Sequence, residues 1–246
     1  MKAIGEKMDA KTTTENIHVM PIMPPTLSSV SLRSYAQILS QDTFNKICPL
    51  NDLLCHEGNV KIPSSTAIFN FSSATDCISA KMGLCAASKF GVACYAKKAE
   101  REYRPFTLPY RRRQEKFWKD ITAEQFVTQF LLLNSRKRNP FNAIRFSECG
   151  DFHNQQELDK AERIATLLSR FKIKCYCYTS RKDLSFTSVK NLIVSGSGFI
   201  KPGITKTFKI IGNKKDKPKG WSICKGSCRI CNRCMIKGLH TAVLSH

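Results

Sequence analysis

Acidic residues are scarce in this chain. Its 246 residues include 19 Asp and Glu against 40 Lys and Arg, a formal net charge of +21. That imbalance points to a polyanionic partner, of which nucleic acid, DNA or RNA, is the commonest. Long apolar runs are missing as well, and no stretch approaches the length that crosses a bilayer, so no membrane partner is expected. Met1 to Thr14 is charged and polar, without the apolar segment of a secretory signal. The expected location is therefore cytoplasmic, an intracellular and reducing compartment. Histidine is sparse: the five present show no nucleophile context, which argues against Ser/His/Asp catalysis. His153 reads as a loop or capping residue and His246 as part of a frayed terminus.

Cysteine, by contrast, is abundant, with twelve in the chain. In a reducing compartment, clustered cysteines read as metal ligands rather than disulfides. The stretch from Cys77 to Ala96 holds Cys77, Cys85 and Cys94, separated by seven and then eight residues drawn largely from Gly, Ala, Ser and Lys. Small residues let a backbone wrap a compact inorganic object, and lysines offset thiolate charge. Three thiolates on a [4Fe-4S] cluster would leave one iron open to another ligand. Ordinary buried thiols fit the same spacing, since free cysteine is commonly buried. Zinc fits it less well, because its ligand pairs usually lie two to four residues apart. Cys48 and Cys55 could serve as extra ligands but read better as core positions.

A second group, Cys224, Cys228, Cys231 and Cys234, has spacings of three, two and two, a strong metal signal. An iron–sulfur cluster is the favoured occupant and zinc the alternative. The group lies in a segment, Lys201 to His246, with eleven basic residues and one acidic.

The pattern between these groups is α/β. Residues 1–30 read as a flexible arm, 31–212 as the α/β body and 213–246 as a basic, cysteine-rich tail. Ser65 to Ser72 alternates as a strand that delivers the chain into the cysteine stretch. A basic helical region follows Cys94, with Tyr95, Tyr103, Phe106, Tyr110, Phe117 and Trp118 interleaved among its cations, a mixture suited to tracking phosphates and stacking bases, or equally to a solvated helix face whose aromatics turn inward. Thr122 to Gln125 fits a capping box ahead of an apolar stripe reaching about Ser135. Strands are expected over Asn142 to Ser147, Ile173 to Thr179, Leu192 to Val194 and Thr207 to Ile211, with a helix capped by Asn154 after the first. That rhythm is the one a parallel sheet has. The Ser147-Glu148-Cys149-Gly150-Asp151 run sits at a strand's carboxyl end, where such sheets place ligand sites.

Taken in order, Cys85, Cys94-Tyr95-Ala96, Glu100 to Tyr110, Arg145 to Phe152, Tyr178-Thr179, Ser195-Gly196-Ser197 and the terminal cysteines resemble the phage and plasmid gene product 88 family. Its organisation is similar to that of radical S-adenosylmethionine enzymes. The resemblance implies a partial (β/α) barrel of radical-SAM type, with the Cys77, Cys85 and Cys94 cluster after its first strand and a cysteine-rich C-terminal segment. It implies S-adenosylmethionine as a cofactor, with contacts from Ser147, Glu148, Gly150, Asp151, Thr179, Ser180, Ser195 and Ser197. The superfamily's usual cysteine spacing is three then two, so the wide spacing here is a departure. The function expected is an iron–sulfur protein that binds or acts on nucleic acid; the alternative is a non-enzymatic, metal-braced nucleic-acid-binding protein.

Overall fold

The computed structural model of the protein describes residues 55–85, 94–204 and 206–244. The expected N-terminal arm, Cys48 and His246 lie outside them. Two-state alternation in the sequence becomes strands β1 (His56–Glu57), β2 (Thr66–Phe69), β3 (Ala143–Phe146), β4 (Lys174–Thr179), β5 (Ile193–Ser197), β6 (Lys206–Ile211), β7 (Ser222–Ile223) and β8 (Thr241–Leu244). They form one open sheet in the order β1-β2-β3-β4-β5-β6-β8-β7. Among the described strands, the β1–β2 pair is antiparallel and the other pairs are parallel. From β2 to β6 each strand lies beside its predecessor in the chain, so the sheet grows in one direction.

Five helices are described: α1 (Ile78–Lys81), α2 (Tyr95–Glu102), α3 (Arg104–Asp120), α4 (Ala123–Ser135) and α5 (Gln155–Ser169). The capping box of α4 is present as the sequence implies: Thr122 Oγ1 accepts from Gln125 N, and Gln125 Oε1 accepts from Thr122 N. Asn154 caps α5 by accepting from Glu157 N at 3.0 Å. The Glu157 carboxylate turns instead to His153 N, 2.8 Å away, and to the His153 ring, so this histidine braces a helix start.

One sheet face is apolar. Ala67, Phe69, Ile144, Phe146, Cys175, Cys177 and Val194 project from it into a core shared with α4 and α5. Aromatic rings fill its centre: Phe71 lies 4.6 Å from Phe152 and 4.7 Å from Trp118, ring centre to ring centre, and Phe69 meets Phe126 at 5.1 Å. Each such ring withdrawn from water contributes on the order of 2–3 kcal/mol. Cys55 packs against the same core, and burial pushes its thiol up to about 12. Cys55, Cys175 and Cys177 are thus packing residues. Alternation in β4 sends Tyr176 and Tyr178 to the opposite face, which the chain's tail covers.

Candidate functional site

The carboxyl end of β3 makes a tight turn. Ser147 stands at φ 62° and Gly150 at φ 75°, both left-handed. A Cβ on Gly150 would lie 2.3 Å from Ser72 Oγ and 2.6 Å from Ser72 N, so only glycine lets this turn press against the strand-end segment after β2. Asn70 reaches across from β2's end: its Oδ1 accepts from Cys149 N at 3.0 Å while its Nδ2 donates to Gln114 Oε1 at 2.9 Å. Ser147 Oγ faces two carbonyls of its own turn, Gly150 O at 2.5 Å and Cys149 O at 3.1 Å. Asp151 is buried and accepts four hydrogen bonds, from Ser79 Oγ (2.7 Å), Ser180 N (2.8 Å), Thr179 Oγ1 (2.8 Å) and Phe152 N (2.9 Å). Burial raises its carboxyl above the ordinary range despite those donors. Ser147, Asp151 and Thr179 therefore spend their polar atoms inside the protein, tying the ends of β2, β3 and β4 together.

Cys77 and Cys94 stand immediately before α1 and α2 with extended ψ of 117°. Cys77 lies in the neighbourhood of Cys85 and of Cys149, and Cys94 packs with Cys149, Ala74 and Ala96. Four thiols thus share one end of β2 and β3. Burial pushes Cys77 up to about 11 and raises Cys149 as well, so without a metal both are neutral thiols. The frame around them is a buried ion pair. Glu100 on α2 accepts from Ala74 N (2.6 Å), Thr75 N (3.0 Å) and Thr75 Oγ1 (2.8 Å), and pairs with Arg111 Nη1 on α3 at 2.9 Å. That pair was invisible in the sequence, where Glu100 and Arg111 are two charges among many. Cys149 was visible only as one member of the acidic turn. Among the described residues, no group of three or more His, Cys, Asp or Glu surrounds a single metal-ion position.

Beside the thiols runs a basic and aromatic surface. Tyr95 (62% exposed), Tyr103 (63%) and Phe106 (78%) face solvent, whereas Trp118 is fully buried. Lys97, Lys98 and Arg101 on α2 and Arg112, Arg113, Lys116 and Lys119 on α3 are exposed with them. The interleaved pattern therefore splits, with its C-terminal aromatics serving the core and its first three the surface. An open cleft of about 510 Å³ lies here, lined in part by His56, Phe106, Tyr110, Arg113 and Glu148. Glu148 Oε1 accepts from Asn59 Nδ2 at 2.5 Å, and its backbone carbonyl accepts from the Tyr95 hydroxyl at 2.5 Å.

A family model described as Gene product 88 matches residues 37–198, well over half of the chain. The chain belongs to the gene product 88 family. Neither a curated protein nor a solved structure matches it. The gene product 88 match spans Cys77 to Cys94, the Ser147 to Asp151 turn and the strands through β5, and it ends before the C-terminal cysteines.

That tail, beyond the gene product 88 match, lies across the second sheet face. Cys234 and Met235 pack on Ala143, Tyr176, Tyr178 and Ile193. Lys206, wholly buried, donates from Nζ to Arg233 O (2.7 Å) and Leu239 O (2.6 Å), pinning the tail to β6. Cys224 N bonds Ala242 O at 2.8 Å, and Cys228 N bonds Lys61 O at 2.7 Å. Cys234 accepts hydrogen bonds from Cys228 and Tyr178 and lies near Lys206 and Arg145, which together hold its thiol below the ordinary range. Cys228, the donor, is correspondingly raised. Arg145 stacks over Tyr178 at 5.4 Å, and its Nε has no partner. Ser195 Oγ is buried on this face, also unpartnered, and Ser197 is half-buried opposite Phe208. No helix among the described residues is long and apolar enough to cross a membrane.

Proposed function

We propose that this gene product 88 family member is an iron–sulfur protein that binds nucleic acid, with Cys77, Cys85 and Cys94 holding a [4Fe-4S] cluster. The carrying observation is the meeting of these thiols, with Cys149, at the shared carboxyl end of β2 and β3. The exposed aromatics beside exposed lysines and arginines on α2 and α3 support the nucleic-acid half, since bases stack on rings while phosphates follow cations. Cys224, Cys228, Cys231 and Cys234 would hold a second cluster or a zinc ion, and the cations Arg145 and Lys206 would offset its thiolate charge.

A second reading, an enzyme of radical S-adenosylmethionine type, is favoured by strand order. Consecutive parallel strands from β2 to β6, with the cysteines directly after the first, have the sequence of a partial barrel. S-adenosylmethionine, if held at an open iron, would supply a 5′-deoxyadenosyl radical on one-electron reduction by an external reductant, with methionine as the leaving group. Against cofactor contacts from Ser147, Asp151 and Thr179 stands the internal use of their polar atoms; Ser195 Oγ is the implied contact without a partner.

Protein purified and reconstituted without oxygen is the test. About four irons per cubane, with matching labile sulfide, supports the cluster; zinc with no iron eliminates it. Formation of 5′-deoxyadenosine under reductant selects the enzyme reading, and iron without that product selects the binding protein. Oligonucleotide affinity should fall steeply with salt, and a flat response removes the nucleic-acid half.

A further inference from the structure

The cleft beside Glu148 narrows the nucleic-acid reading, on which this inference rests. Phe106 and Tyr110 are four residues apart on α3, so they lie on one side of that helix and set two rings along the cleft. Phe106 is 78% exposed, a ring with nothing laid over it. Arg113 brings its guanidinium carbon to 6.0 Å from the Tyr110 ring centre, which puts a cation beside the rings. At about 510 Å³ the space suits one nucleotide-sized ligand and not a duplex.

Glu148 sets the chemistry of this cleft. Its Oε1 accepts from Asn59, and the basic nitrogen within 4 Å of its Oε2 is His56 Nε2 at 3.9 Å, beyond hydrogen-bond distance. Burial lowers the His56 imidazole below its ordinary value, ahead of the opposing pull of Glu148, so at neutral pH it is no counter-ion. Among the described residues no lysine or arginine forms an ion pair with Glu148. A carboxylate accepts hydrogen bonds and donates none. The amino groups of cytosine, adenine and guanine offer donors to it, whereas thymine and uracil present carbonyls in those places.

We infer that the cleft takes one unstacked base of a single strand, ring against Phe106 and Tyr110, amino edge on Glu148 Oε2 and phosphate beside Arg113. Amino-bearing bases are preferred over thymine or uracil.

Fluorescence anisotropy of the full chain with short oligodeoxycytidylate and oligothymidylate strands tests this. The native protein should bind cytidylate tighter by about fivefold or more. Phe106→Ala should weaken both strands on the order of tenfold, and Arg113→Ala should weaken both while flattening the salt dependence by about one charge. Glu148→Gln, nearly isosteric, should keep the native circular dichroism spectrum and erase the preference. Equal binding of both strands by the native protein, or unchanged binding by Phe106→Ala and Glu148→Gln, overturns the inference while salt-sensitive binding keeps the broader reading. If neither strand binds, both fall together.

Discussion

Glu100→Gln is the substitution that most directly tests how the thiol site is framed. Its carboxylate accepts from Ala74 N, Thr75 N and Thr75 Oγ1 and pairs with Arg111, whose side chain is only 7% exposed. An amide at this position removes the negative charge and leaves Arg111 buried without its hydrogen-bonded counter-ion, since its other contact from Nη1 is the Ala96 carbonyl at 3.0 Å. Breaking a buried pair in this way costs about 3–5 kcal/mol. For a chain of this size that lowers Tm by roughly 10 °C. Replacing both partners, as Glu100→Gln with Arg111→Met, removes the stranded cation, so the double variant should be more stable than Glu100→Gln alone. Urea unfolding of the four proteins gives the coupling energy, expected at about 2 kcal/mol or more. The effect also has a pH signature. Burial would raise the Glu100 carboxyl, but hydrogen bonds from Ala74, Arg111 and Thr75 outweigh it and hold it below its ordinary 4.5. A depressed carboxyl contributes stability that is present above 4.5 and disappears as pH falls through its folded value. The gap between native and Glu100→Gln proteins should therefore be widest near neutrality and close in acid. Additive single substitutions, or a gap that does not narrow in acid, would refute the reasoning.

Gly150→Ala should destabilise by about 2–4 kcal/mol, combining a left-handed φ with a Cβ forced against Ser72 backbone, and should loosen Cys149 and Asp151 together. Thermal melting checks it, and a loss under about 1 kcal/mol would mean the turn has room to move. Lys206→Met should cost about 2 kcal/mol by stripping the donor from Arg233 O and Leu239 O. Limited proteolysis should then cut between residues 224 and 239 faster than in the native chain, and an unchanged rate would show the tail is held by other contacts.

Local chemistry was readable in advance wherever the cause was local. The capping box of Thr122 and Gln125, the Asn154 cap, and the two-sided alternation of Cys175 and Cys177 against Tyr176 and Tyr178 depend on neighbours within a few residues. A stripe of alternating or helical period has one stable way to bury itself, which is why the parallel α/β class was legible too. Which aromatics in Tyr95 to Trp118 would be covered was not legible. The basic region reads alike along its length, and only packing of α3 against the sheet buries Trp118 and leaves Phe106 bare.

Sequence alone determined the order of the elements from β2 to β6, the two cysteine groups and the surplus of positive charge, because composition and short-range periodicity need no fold to act; it did not show that the tail adds β7 and β8 to the sheet. Tertiary structure decided the rest: that Cys149 joins Cys77 and Cys94, that Glu100 meets Arg111, and that the tail's cysteines lie over Tyr178 and Arg145. Those contacts join residues far apart in the chain. They exist only once β2, β3 and β4 are in register, and no pattern along a single strand or helix encodes the distance between two such ends.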